Sequence, residues 1–183
     1  MIKLNGSTRR DIYFPADPVT TLRYFSDLSR VAFHLPHITV VKTYGLNEIR
    51  VHYQTVELGA YTINIYTDLV SIVDEEEQVI YIQPLEDKPT VPSEATLNAT
   101  TAYGYFYSTA RLQAHNDQTH IDYRLKITAE LPRPRGLRMM PGRVVNRIAE
   151  SISQGRVREI ADGFIADATA AFPEWLTVSQ SQL

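Results

Sequence analysis

Seven arginines and a single acid, Glu150, fall between residues 132 and 158, where they set a local charge of about +6. The first 131 residues sum to −5. Arg133, Arg135, Arg138, Arg143 and Arg147 flank the pair Met139-Met140. A basic, partly apolar stretch suits anionic lipid headgroups or an acidic protein, each residue contributing on the order of 1 kcal/mol near an anionic surface. The competing reading is a solvated helix start, partly paired with the acidic run Asp74 to Glu77. Five arginines near a helix N-terminus oppose the macrodipole, so helix stabilisation explains them poorly.

A second concentration is "YGYFYSTARLQ", residues 103–113. As a strand it divides into Phe106, Ala110 and Leu112 on one face and Tyr103, Tyr105, Tyr107, Thr109 and Arg111 on the other. The second set ends polar, which points it outward. Three tyrosines on one exposed face form a patch of the kind that marks partner surfaces. The alternative turns them inward as phenols touching a ligand.

Other chemistry is thinly represented. The five histidines form no metal-ligand pattern: His34 and His37 flank Leu35-Pro36, and His52, His115 and His120 fall on strands or a turn. No cysteine is present, which excludes disulfides, thiol nucleophiles and thiolate metal sites. No nucleophile elbow, Gly-rich phosphate loop or dinucleotide fingerprint occurs. The expectation is therefore no metal, no cofactor and no catalytic residue.

The elements that position these residues follow from periodicity. Asp17-Pro18 starts a helix with the stripe Val19, Leu22, Phe25 and Leu28, and Asp27-Leu28-Ser29 restarts it into a second short piece that Pro36 ends. From residue 37 the period becomes two, through "HITVVKTY", "NEIRVHYQTVEL", "YTINIYTDLVSIV" and "QVIYIQPL". A Pro-rich loop at 85–96 precedes two long strands, "TTAYGYFYSTARLQAH" and "THIDYRLKITAEL". On the last, Ile121, Tyr123, Leu125, Ile127 and Ala129 alternate with polar residues, as a half-buried antiparallel strand does. The same parity turns Ile49, Val51 and Tyr53 inward, and Tyr61, Ile63, Ile65 and Leu69 likewise.

After "PRPRGLRMMPG" one helix is predicted over 143–172, with Ile160 and Phe164 in its apolar stripe and 173–183 as a tail. Gly155 and Gly163 inside it mark either a close packing or a bend. The order β, α, α, six or seven strands and a long helix predicts a single α+β domain with its core at about residues 8–172. A curved antiparallel sheet grips the C-terminal helix, and the two short helices plug one end.

With 183 residues, 44% hydrophobic and 21% charged, the chain is large enough for a core with a cavity. A net charge of −3 gives no argument for a nucleic-acid partner. No signal-like or membrane-spanning apolar run occurs, so the expectation is cytoplasmic, with peripheral membrane contact as the variant.

That order, headed by "IYFPADPVTTLRYFSDLSRVAFHLPHITVV", resembles the START-like superfamily, also called SRPBCC or Bet v 1-like. The residues that carry the resemblance are Pro15, Ala16, Val19, Tyr24, Phe25, Ser26, Asp27 and Pro36. "LPRPRGLRMMPG" before the last helix looks like an uncharacterised cyanobacterial and plastid branch. The resemblance implies a cavity between sheet and helix for a hydrophobic small molecule: a lipid, an isoprenoid or a pigment-related compound. Tyr53, Tyr61, Ile63, Ile65, Phe106, Tyr123, Ile127, Ile160 and Phe164 would line it. The bland reading is that these side chains simply fill a core. The alternative function is an assembly or interaction factor using the arginine and tyrosine surfaces, and a third is a cyclase- or dehydratase-type enzyme.

Overall fold

Two aspartates explain why the chain leaves its first strand for two short helices. The computed structural model describes residues 1–181. After β1 (Ile2–Phe14), the Asp17 carboxylate accepts hydrogen bonds from the Val19 and Thr20 amides at 3.0 Å, and Pro18 opens α1 (Pro18–Phe25). Asp27 does the same for α2 (Leu28–Phe33) through the Ser29 and Arg30 amides.

The remaining strands are β2 (Ile38–Gly45), β3 (Glu48–Glu57), β4 (Tyr61–Asp74), β5 (Val79–Pro84), β6 (Glu94–Ala95), β7 (Ala99–His115) and β8 (Gln118–Leu131). They form one sheet in the order β1-β8-β7-β5-β4-β3-β2, with β6 paired to β7. Antiparallel pairings build nearly all of it, the sequence-distant pair β1–β8 included. One departure is that Thr62–Tyr66 of β4 pairs directly and in parallel with Ala99–Tyr103 of β7. The cause is the shortness of β5, which stops at Pro84 and leaves the two long strands to close the gap. Gly104 permits that approach, since a Cβ there would lie 2.6 Å from Ile65 Cγ2.

The two-residue period predicts the faces correctly. Ile121, Tyr123, Leu125 and Ala129 are buried, whereas Arg124, Lys126 and Glu130 are exposed.

The last helix, α3 (Gly142–Gln180), is longer than the pattern predicts, because it continues through Pro173 where a tail is expected. Pro173 has no N–H for the Thr169 carbonyl, a fault that ordinarily ends a helix. Here aromatic packing outweighs it. Phe14, Tyr24, Phe172 and Trp175 form a cluster with ring centroids 4.8 to 5.8 Å apart, and the Tyr24 hydroxyl donates to the Ala168 carbonyl at 2.8 Å. The Arg23 and Arg30 guanidinium groups lie 5.4 and 5.2 Å from the Trp175 ring. Thus α1 and α2 dock on the C-terminal half of α3. Of the expected tail, residues 182–183 lie outside the described residues. β1 also begins earlier than the expected core, at Ile2.

The N-terminal half of α3 lies directly on β1, where a Cβ on Gly6 would lie 2.6 Å from Val157 Cγ2 and 2.9 Å from the Ser153 carbonyl oxygen. The two helix glycines part company. A Cβ on Gly163 would fall 2.5 Å from Pro36 Cγ, so this is a close packing against the segment after α2. At Gly155 nothing lies within 4 Å. Gly155→Ala is therefore expected to stabilise by about 1 kcal/mol, and Gly163→Ala to destabilise by about 1–3 kcal/mol. Paired urea titrations check the opposite signs.

Candidate functional site

Two apolar clusters divide the space between sheet and α3. The larger gathers Phe14, Tyr24, Leu28, Ile160, Phe164 and Phe172 at the α1–α2 end. The smaller gathers Ile2, Ile65, Ala102, Leu131, Val145 and Ala149 at the other. Tyr53 packs against both, and a cavity of about 60 Å³ opens at their junction.

The structure brings six of the predicted residues, Tyr53, Ile63, Ile65, Phe106, Ile127 and Ile160, to this cavity. Tyr61 lines a second cavity of about 80 Å³, which shares Leu4, Glu57, Ile63 and Ile152 with the first. Tyr123 and Phe164 line a third, of about 40 Å³, which meets the first at Phe106. The nine residues thus edge three adjoining spaces along one face of the sheet. Each exceeds the roughly 10–15 Å³ a water needs, and each is far below the roughly 300 Å³ of a pocket for a drug-sized ligand.

The polar groups of the first cavity are mostly committed. The Thr55 hydroxyl donates to Glu57 at 3.0 Å, and Arg156 Nε donates to the same Glu57 oxygen at 2.7 Å. Arg156 also pairs with Glu159, whose other oxygen lies 2.8 Å from His37 Nε2. A chain of hydrogen bonds from His37 to Thr55 therefore ties the α2–β2 connection and β3 to α3. His37 and then Arg156 hold the Glu159 carboxyl below its usual range, while Glu57 and then Glu159 raise the Arg156 guanidinium. Burial pushes the Tyr53 phenol up to about 12 and raises Tyr123 as well, so both are neutral near pH 7. The Thr67 hydroxyl is the exception: buried in the wall, it has no hydrogen-bond partner among the described residues. An unsatisfied buried hydroxyl costs about 1–3 kcal/mol.

Glu57, Thr67 and Arg156 are absent from the predicted site. Glu57 and Thr67 were legible in principle, since both continue the inward parity of their strands. A carboxylate on a buried face calls for a cation. Nothing in the helix pattern marks Arg156 as that cation.

The basic segment divides. Arg133 is half-buried and donates to the Met140 carbonyl, so it is a brace within its own loop. Arg135, Arg138, Arg143 and Arg147 are exposed, and among the described residues none forms an ion pair. Met139 beside them is 95% exposed. The same segment covers the second cavity through Pro134, Leu137 and Met140.

The tyrosine stripe also divides. Tyr105 and Tyr107 are exposed on the face away from α3. Tyr103 instead donates to Asp68 Oδ2 at 3.1 Å and accepts from the Asp68 amide at 3.2 Å. Asp68 is fully buried, held by Arg50 at 2.8 and 2.7 Å and by the Tyr44 hydroxyl at 2.9 Å.

Each of three histidines is engaged: His37 with Glu159, His120 with Asp11, and His52 with Asn64 while stacked on Tyr66. Among the described residues no three His, Asp or Glu side chains are grouped to hold a metal ion, and no helix is long and apolar enough to cross a membrane.

No family model matches the chain, and no curated protein sequence does either. Solved structures do. The Zhui aromatase/cyclase from Streptomyces sp. R1128 superposes with a TM-score of 0.56 at 11% identity, over 94% of this chain and 96% of that one. TTHA0849 from Thermus thermophilus gives 0.53 at 18% identity, over 90% and 98%. The di-domain ARO/CYC StfQ from the steffimycin biosynthetic pathway gives 0.50 at 10%, over 95% of this chain and 52% of that one. At such identities the likeness concerns the fold alone. Sheet order, short helices and long final helix agree with it: the chain has the helix-grip fold of the SRPBCC, or Bet v 1-like, proteins.

Proposed function

We propose that the protein binds a hydrophobic or amphipathic small molecule, without reacting with it, between the sheet and α3. A lipid, an isoprenoid or a pigment-related compound fits; the pigment element rests on the resemblance stated above. The observation that carries this reading is the set of three adjoining cavities with largely apolar walls, the first of them at the junction of two core clusters. The same fold in aromatase/cyclases supports it. The cavities are narrow, so binding requires side chains of α3 to shift. α3 is held to β1 at Gly6 and to β3 through Arg156 and Glu57, so the space for a ligand comes from its apolar side chains between these two ties.

Calorimetric titration with a panel of lipids and isoprenoids tests this. The expected result is one site with a negative heat-capacity change from apolar burial. Absence of saturable binding across the panel overturns it.

A second reading has its own observation: Met139 stands exposed among four arginines that form no ion pair among the described residues, on the segment that covers the second cavity. In it the protein docks on an anionic membrane or an acidic protein. Because Arg133 is engaged internally, the informative variant is Arg135→Ala/Arg138→Ala/Arg143→Ala. At about 1 kcal/mol per arginine, binding to phosphatidylserine vesicles is expected to fall about 100-fold, and wild-type binding to weaken steeply with salt. Cosedimentation measures both, and unchanged partition rejects this reading. A cyclase- or dehydratase-type reaction would need one pocket residue whose conservative change, Tyr53→Phe among the candidates, abolishes turnover while binding survives.

A further inference from the structure

Thr67 carries an inference about the ligand's chemistry. It lies on β4 opposite Val51 of β3, with Tyr53 as its diagonal neighbour, and all three line the first cavity. The other aliphatic hydroxyls and the charged pair in that wall are taken: Thr55 donates to Glu57, Ser153 to the Ala149 carbonyl, and Arg156 holds Glu57. Thr67 is only 6% exposed, and its hydroxyl has no hydrogen-bond partner among the described residues. Valine would keep the same shape and the same strand preference without an unmet hydroxyl. A buried water needs two to four polar partners, and the apolar wall around Thr67 offers few.

We propose that Thr67 is the polar anchor for the bound molecule, which therefore carries a hydroxyl or carbonyl oxygen on an apolar body. The ligand's oxygen reaches this hydroxyl as the narrow cavity widens to admit the body, which lies against Val51, Ile65, Phe106 and Ile127. On this account the site discriminates between an oxygenated ligand and a hydrocarbon of the same outline. The inference rests on the binding reading above and narrows its ligand class.

The test uses two probes of nearly identical shape, 2-naphthol and 2-methylnaphthalene, titrated by fluorescence into wild type, Thr67→Val and Thr67→Ser. Loss of one hydrogen bond lowers affinity by roughly 3- to 10-fold. The expected result is that Thr67→Val weakens 2-naphthol by that factor and leaves 2-methylnaphthalene unchanged or tighter, while Thr67→Ser retains the wild-type preference. If both probes bind and Thr67→Val shifts neither, or shifts both alike, the anchor is overturned and the binding reading stands. If neither probe binds wild type, both are overturned. Urea midpoints for the three proteins exclude misfolding as the cause.

Discussion

Arg50→Ala lowers the stability of the protein by about 3–5 kcal/mol, because it leaves the fully buried Asp68 carboxylate without its cation. Asp68 sits on the sheet face away from α3, bound by both ends of the Arg50 guanidinium and by the Tyr44 and Tyr103 hydroxyls. Burial alone would raise its pKa; the hydrogen bonds from Arg50, Tyr44 and Tyr103 reverse this and hold it below the usual carboxylate range. A lowered folded pKa means that the wild-type contribution is present above the unfolded value, about 3.9, and is lost as pH falls through the folded value.

In Arg50→Ala the sign inverts. Burial then dominates, the folded pKa of Asp68 rises above the unfolded value, and the variant loses stability as pH rises. The deficit relative to wild type is thus largest near neutrality and shrinks toward pH 4. Urea unfolding at pH 4 and pH 7 measures it. A deficit that is the same at both values contradicts the account, and Arg50→Ala/Asp68→Leu should recover part of the loss.

The second large effect is on binding. Ile127 faces the first cavity from β8, and Ile127→Trp places an indole in about 60 Å³ of empty space. Overpacking costs about 1–3 kcal/mol, which the fold should survive. Affinity for any ligand of the cleft should fall roughly tenfold or more, since the ligand then competes with a covalently attached ring. Calorimetry alongside a thermal melt separates the two effects. Retained affinity in a folded Ile127→Trp would move the binding site away from the α3 face of the sheet.

Much of this was readable from residue pattern, and the misses share causes. Strand parity gave the faces of β3, β4 and β8, because a two-residue period admits only two assignments; on β7 both stayed open, and only the polar end at Thr109 and Arg111 favoured turning the tyrosines outward. The caps at Asp17 and Asp27 gave the short helices, because the Asx side chain and its amides are local. What failed was non-local. Pro173 reads as a helix end until Trp175 and Phe172 are seen to pack on Tyr24 and Phe14. The parallel contact between β4 and β7 depends on where β5 stops, which no local pattern states. Tyr103 and Arg133 look like surface chemistry in sequence but meet Asp68 and the Met140 carbonyl once folded. Within the cleft, apolar residues were found by parity, whereas Arg156 on α3 was paired with Glu57 only by the fold.

Native mass spectrometry of the protein purified from its natural source, followed by organic extraction, decides whether the cleft carries a ligand. One equivalent of an apolar, oxygen-bearing compound is expected, released on unfolding and identified in the extract. A protein that flies at its apo mass, with nothing in the extract, would contradict the proposed binding.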